Sequence, residues 1–161
     1  MAVSSDIAAT YVRGPGSVMR RLLSAGQRED RALAMLMGAC VLAFVSRWPA
    51  LSRQAHLDGT ELNPALGGAL FGWLFVAPLM FYGIAAVSHI FARVLGGRGT
   101  WYGARLALFW SFLASTPLIL LNGLVAGFIG SGPALSLVGA AWIAAFLWFW
   151  IRCLTIAERP A

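Results

Sequence analysis

The side chains that could carry chemistry are few. There are two histidines, His56 and His89, two cysteines and six acidic residues, but no lysine. Without a lysine amine, a Walker-type phosphate loop, a pyridoxal or retinal Schiff base and a Ser–Lys hydrolase are all excluded. Gly130-Ser131-Gly132 places a serine in a tight loop on the same side as His56. That is a serine-hydrolase constellation, but it lacks the strand–turn–helix context of a nucleophile elbow, and a helix–helix turn explains it. His89 stands one turn before Arg93 on the same helix face and is expected to bond a neighbouring carbonyl at the interface. The two histidines fall on opposite sides, so one chain supplies no bis-histidine haem ligation, and no Cys/His cluster binds a metal. No acidic residue lies between Glu61 and Glu158, which argues against a carboxylate proton or sodium site within the membrane. Gly96-Gly97-Arg98-Gly99, flanked by Arg93 and Arg105, has the makings of a backbone nest for an anionic lipid phosphate. The same residues also serve as a tight turn whose arginines set topology.

The elements that must position these residues are transmembrane. The 161 residues are 60% hydrophobic with a net charge of +6, too apolar for a water-soluble domain. Four spans are expected, at about 32–51, 65–92, 106–129 and 134–151. The first is short and needs Arg47 to snorkel. The second is entered through Asn63 and Pro64, the third through Thr100 as N-cap, and the fourth ends in Trp148-Phe149-Trp150 and Arg152. Ten of the twelve arginines then fall on one side, leaving only Arg47 and Arg53 on the other. By the positive-inside rule both termini are cytoplasmic.

Residues 1–31 form a cytoplasmic segment split by Gly14-Pro15-Gly16, and 157–161 form a cytoplasmic tail. Between Ser17 and Ala25, Val18, Met19, Leu22 and Leu23 share one side while Arg20 and Arg21 lie on another. This is an amphipathic helix for either the inner leaflet or the bundle's own loops. Met37-Gly38-Ala39-Cys40 only faintly resembles a lipoprotein cleavage box, because the chain stays apolar beyond it. Cys40 lies mid-membrane and Cys153 at the inner interface, so no disulfide joins them.

Small residues recur four apart at Gly68/Gly72 and Gly123/Gly127, with Asn122 able to bond between helices. Whether the partner helix belongs to the same chain is left open by the spacing. Pro78 and Pro117 sit at matched depth, and each frees the carbonyl four residues earlier, Leu74 and Leu113. Two outcomes follow: matched curvature alone, or a small kink cavity lined by Tyr82, Trp110, Ser111 and Thr116.

The stretch Gly96-Gly97-Arg98-Gly99-Thr100-Trp101-Tyr102-Gly103-Ala104-Arg105-Leu106-Ala107-Leu108-Phe109-Trp110-Ser111, followed by Pro117, resembles the Yip1-domain (YIP1) family in its bacterial branch. The family pattern is an aromatic-Ser pair after a glycine-containing cytoplasmic turn, then a proline later in the span. The resemblance covers roughly residues 15–156, with the Yip1-like domain at 32–156. In eukaryotes the family implies Golgi and endoplasmic-reticulum trafficking through Rab GTPases. The acidic-aromatic-Gly-Pro motif of those members is absent here and four spans stand where they have five, so Rab binding does not carry over. Arginine in place of lysine, with abundant Ala, Gly and Leu, suits a GC-rich bacterial genome and hence the inner membrane.

The expectation is therefore an all-α integral membrane protein, a bundle of four transmembrane helices with a short N-terminal amphipathic helix. It would act as a non-enzymatic scaffold, assembly factor or accessory subunit of a membrane complex. No catalytic, metal or cofactor site is expected. Its partners would be membrane lipids and other membrane subunits, in a homo- or hetero-oligomer, and not nucleic acid. The alternative is a small transporter or lipid-handling protein using a cavity at the Pro78/Pro117 kinks.

Overall fold

Long runs without charge leave the backbone no solvent to bond to, so each run satisfies its amides and carbonyls internally as helix. The structure, a computed structural model, describes residues 3–159 and is all-helical over that range. Two short helices, α1 (Val3–Arg13) and α2 (Pro15–Ser24), precede α3 (Glu29–Asp58). Next come α4 (Leu62–Phe71), a π turn (Gly72–Val76) and α5 (Ala77–Val94), continuous as one 33-residue helix. A bent pair, α6 (Trp101–Ala114) and α7 (Thr116–Phe128), leads to α8 (Pro133–Glu158). Three of these helices are long and apolar enough to cross a membrane alone. The α6–α7 pair, bent by 43°, makes a fourth span when read as one.

The helices outrun the apolar stretches that announced them. α3 continues through Pro49 to Asp58, α8 continues to Glu158, and the α4–α5 helix begins at Leu62 with Glu61 as N-cap. An apolar run measures the bilayer, while helical hydrogen bonding continues into the interface for as long as nothing breaks it. Thr100 does cap α6, its hydroxyl accepting from the Gly103 amide at 3.0 Å.

α6 is the central element. Twelve of its fourteen residues are buried, and only Trp101 and Arg105 escape. Phe112 is the hub, with Phe81 of α5 at 4.4 Å between ring centroids, and Trp73 of the π turn and Phe146 of α8 each at 6.3 Å. Such aromatic pairs contribute about 0.5–1.5 kcal/mol each beyond area burial.

The two prolines are accommodated differently. Ahead of Pro78 the helix widens into the π turn, where the Ala77 amide reaches back to the Gly72 carbonyl. A wide turn gives the proline ring room against the preceding carbonyls. At Pro117 the helix breaks instead, at Ser115. The carbonyl of Leu113 that Pro117 frees is taken by the Thr116 hydroxyl at 2.7 Å, and the Ser115 hydroxyl bonds the Phe112 carbonyl at 2.8 Å. The Trp142 indole N–H on α8 in turn donates to the Ser115 hydroxyl at 3.2 Å. Thr116→Val keeps the shape and removes the donor. It is expected to cost about 1 kcal/mol, seen as a modest fall in the thermal midpoint in mild detergent.

The amphipathic α2 buries Val18, Met19 and Leu22 against the bundle, which settles its apolar side on protein. Gly16 sits so close to α8 that a Cβ there would stand 2.9 Å from the Ile156 side chain. Arg21 turns outward and pairs with Asp6 of α1. α1 adds Tyr11, edge-on to Phe149 at 5.1 Å, and partial burial pushes its phenol above the ordinary tyrosine value.

Candidate functional site

The polar residues converge at the end of the bundle where α2 docks. His89, on the last turns of α5, is wholly buried, and Glu158 closes α8 at 4% exposure. The His89 Nδ1 stands 2.6 Å from Glu158 Oε1. The Gly99 amide donates to Glu158 Oε2 at 3.1 Å, and the Arg98 amide donates to the Glu158 backbone carbonyl at 2.8 Å. The imidazole lies against Trp101, 4.4 Å between centroids. One glutamate thus ties together the end of α5, the loop after it and the start of α6.

The glycines of that loop make the approach possible. A Cβ on Gly99 would stand 2.4 Å from the Ala157 carbonyl oxygen and 2.8 Å from Glu158 Oε2. Any larger residue would push the loop off α8 and unmake the carboxylate's second bond. The loop that could serve either as a phosphate nest or as a tight turn thus gives its Gly99 amide to a protein carboxylate.

Chemically the pair is a clamp. The 2.6 Å contact commits the Nδ1 of His89 to Glu158 and leaves Nε2 as the other ring nitrogen. That Nε2 is buried with no hydrogen-bond partner among the described residues, so no hydroxyl or thiol is poised on it as a nucleophile would be. The nearby Ser88 hydroxyl is spent on the Ala85 carbonyl at 2.8 Å. Among the described residues no group of three or more His, Cys, Asp or Glu could hold a metal ion. Cys40 and Cys153 are both free and buried.

Beside the clamp, α5 and α8 diverge and leave an apolar groove of about 770 Å³. Its walls include Met80, Gly83, Val87 and Phe91 on α5 and Trp150 and Leu154 on α8, and Glu158 and Arg159 stand at its polar end. A second hollow of about 540 Å³ lies where α1 and α2 meet α3.

The other residues singled out by sequence fall as follows. Arg93 and Arg98 are exposed at the clamp end. Arg105 is not available to a lipid in the same way, since it pairs with Glu29 and lies over the Tyr82 ring at 5.9 Å. Gly123 and Gly127 pack within the chain, where a Cβ would stand 1.9 Å from the Ser46 carbonyl oxygen and 2.3 Å from Pro49 of α3. Asn122 also bonds internally, its Nδ2 donating to the Leu135 carbonyl at 3.4 Å. Gly68 and Gly72 face open space. Trp110 and Ser111 have no exposure, Tyr82 packs edge-on against Phe109 at 5.0 Å, and neither groove described above is lined by Pro78, Tyr82, Trp110, Ser111 or Pro117. His89 bonds a carboxylate in place of the expected carbonyl, because the last turn of α8 delivers Glu158 to it. Glu158 belongs to the last turn of α8 and not to a tail at 157–161. The signal that could have raised it is its isolation, the first acidic residue after Glu61 and set among arginines at a helix end.

No family model, curated protein or solved structure matches the chain.

Proposed function

We propose that this multi-pass helical membrane protein works as a non-enzymatic scaffold, assembly factor or accessory subunit of a larger complex. It would sit in a bacterial inner membrane with its arginine-rich end in the cytoplasm. The observation carrying the reading is the division of labour among the glycine faces. Gly123 and Gly127 are consumed by α3, whereas Gly67, Gly68 and Gly72 have no neighbour that a Cβ would meet. None of the residues of α4 is buried, and outside its own long helix α4 meets only α3, so the rest of its surface is left open. A glycine face that lets backbones approach closely is of most use to a second helix, and lipid alone has no need of it. The non-enzymatic reading is supported by the clamp, whose polar groups are turned on one another. The YIP1-type assignment belongs to the same proposal, supported by Trp110-Ser111 in the core of α6 and Pro117 at the bend.

The test is a photo-crosslinking amino acid, p-benzoylphenylalanine, in place of Phe71, which is exposed on α4. Irradiation in native membranes is expected to yield a discrete protein adduct, either a second copy or another subunit. Adducts to lipid alone, with a monomer on purification in mild detergent, would sink the scaffold reading.

A further inference from the structure

We propose that the groove between α5 and α8 is a binding site for one anionic phospholipid of the arginine-rich leaflet. The acyl chain would lie along the groove and the phosphate at its Arg159 end. The inference rests on the membrane placement and the orientation of the bundle, and is independent of whether α4 recruits a partner.

Length and position come first. The α5 wall runs from Met80 to the C-cap Leu95, fifteen steps of helical rise or about 22 Å. One leaflet offers roughly 15 Å of hydrocarbon and a further ~6 Å of headgroup region. The groove therefore spans a single leaflet, from mid-bilayer to the interface. Its volume of about 770 Å³ falls inside the range of pockets that enclose small ligands, ~300–1,000 Å³. The walls are those of a hydrocarbon slot: Val87 and Phe91 on one side, Leu154 on the other, and Gly83 leaving the deep end open.

Charge then selects the headgroup. Two ionisable groups line the polar end, Glu158 and Arg159. The carboxylate of Glu158 already takes its hydrogen bonds from His89 and the Gly99 amide. Arg159 is exposed, with Arg98 and Arg93 exposed at the same end of the bundle. A mouth whose one anion is clamped and whose cations face outward complements a phosphodiester. A zwitterionic lipid would bring a quaternary ammonium to the same arginines and gain less. The clamp has a second part to play here, because it fixes the end of α8 and so holds Arg159 at the mouth.

The experiment is native mass spectrometry of the full chain in mild detergent with palmitoyl-oleoyl phosphatidylglycerol or the phosphatidylcholine with the same chains. The wild type is expected to retain one phosphatidylglycerol in preference to phosphatidylcholine. Arg159→Glu, at the exposed mouth, should weaken that retention by about fivefold or more. Gly83→Trp should abolish retention of either lipid by filling the slot, since a side chain there meets no backbone. If Gly83→Trp fails to fold, Arg159→Glu carries the test alone. Equal retention of the two lipids by the wild type, or no effect of Arg159→Glu, overturns the proposal. A photo-crosslinker in place of Val87, exposed on the groove wall, should capture lipid. Capture of a protein segment there would overturn the lipid assignment whatever happens at Phe71.

Discussion

His89→Ala is expected to lower stability by about 1.5–3 kcal/mol, the usual consequence of removing one partner of a buried hydrogen bond that involves a carboxyl group. Glu158 would keep its bond from the Gly99 amide but lose the imidazole, in a position that is 4% exposed. Glu158→Ala should cost a similar amount by a different route: it strands the His89 Nδ1 and removes the acceptor that holds the Gly99 amide. The double variant should cost clearly less than the sum, with a coupling of roughly 0.5–3 kcal/mol, because the second deletion removes a group already without its partner. Thermal unfolding in mild detergent across the four proteins measures this cycle. Additive losses would mean that the two side chains act separately, and an unchanged midpoint in both single variants would mean that the pair carries no stability.

Gly123→Leu is expected to be at least as damaging, and to act on geometry. A Cβ at 123 would stand 1.9 Å from the Ser46 carbonyl oxygen, and the atom it meets is backbone, which has no rotamer to yield. Overpacking of this kind costs about 1–3 kcal/mol where neighbours can shift, and more where they cannot. α3 and α7 would have to separate along their whole contact, carrying Gly127 away from Pro49 as well. Arg53 would feel the change too, because its guanidinium bonds the Gly127 and Phe128 carbonyls at 3.3 Å and so caps the far end of α7. Gly68→Leu is the control. It faces open space, so the isolated chain should unfold at the wild-type temperature. A Gly123→Leu protein as stable as the Gly68→Leu protein would contradict the close packing of α3 on α7.

The long apolar helices are legible because they depend on local composition, an apolar run of sufficient length. The consequence of Pro117 was legible in part. That the Leu113 carbonyl would be released follows from covalent geometry, whereas its capture by Thr116 depends on a rotamer that spacing does not specify. The apolar run marks 32–51 while the helix extends over Glu29–Asp58, since Arg53, Gln54 and His56 continue a helix that the apolar run does not announce. The clamp was not legible. His89 and Glu158 are 69 residues apart, and nothing periodic along either helix says that the end of α5 meets the end of α8. The same limit applied to the glycines: Gly68/Gly72 and Gly123/Gly127 share a spacing, and only the packing of α3 tells the occupied face from the bare one.

That separation of 69 residues also has a meaning in time. At synthesis rates of about 5–20 residues per second, Glu158 follows His89 out of the ribosome by roughly 3–14 s. Throughout that interval the loop from Leu95 to Thr100 keeps its local turns to Phe91, Ala92 and Arg93 but lacks its two bonds to Glu158, and the imidazole has no carboxylate to face. The last turn of α8 is therefore the keystone of biogenesis: the earlier helices can be in place, but this end of the bundle locks only when α8 arrives.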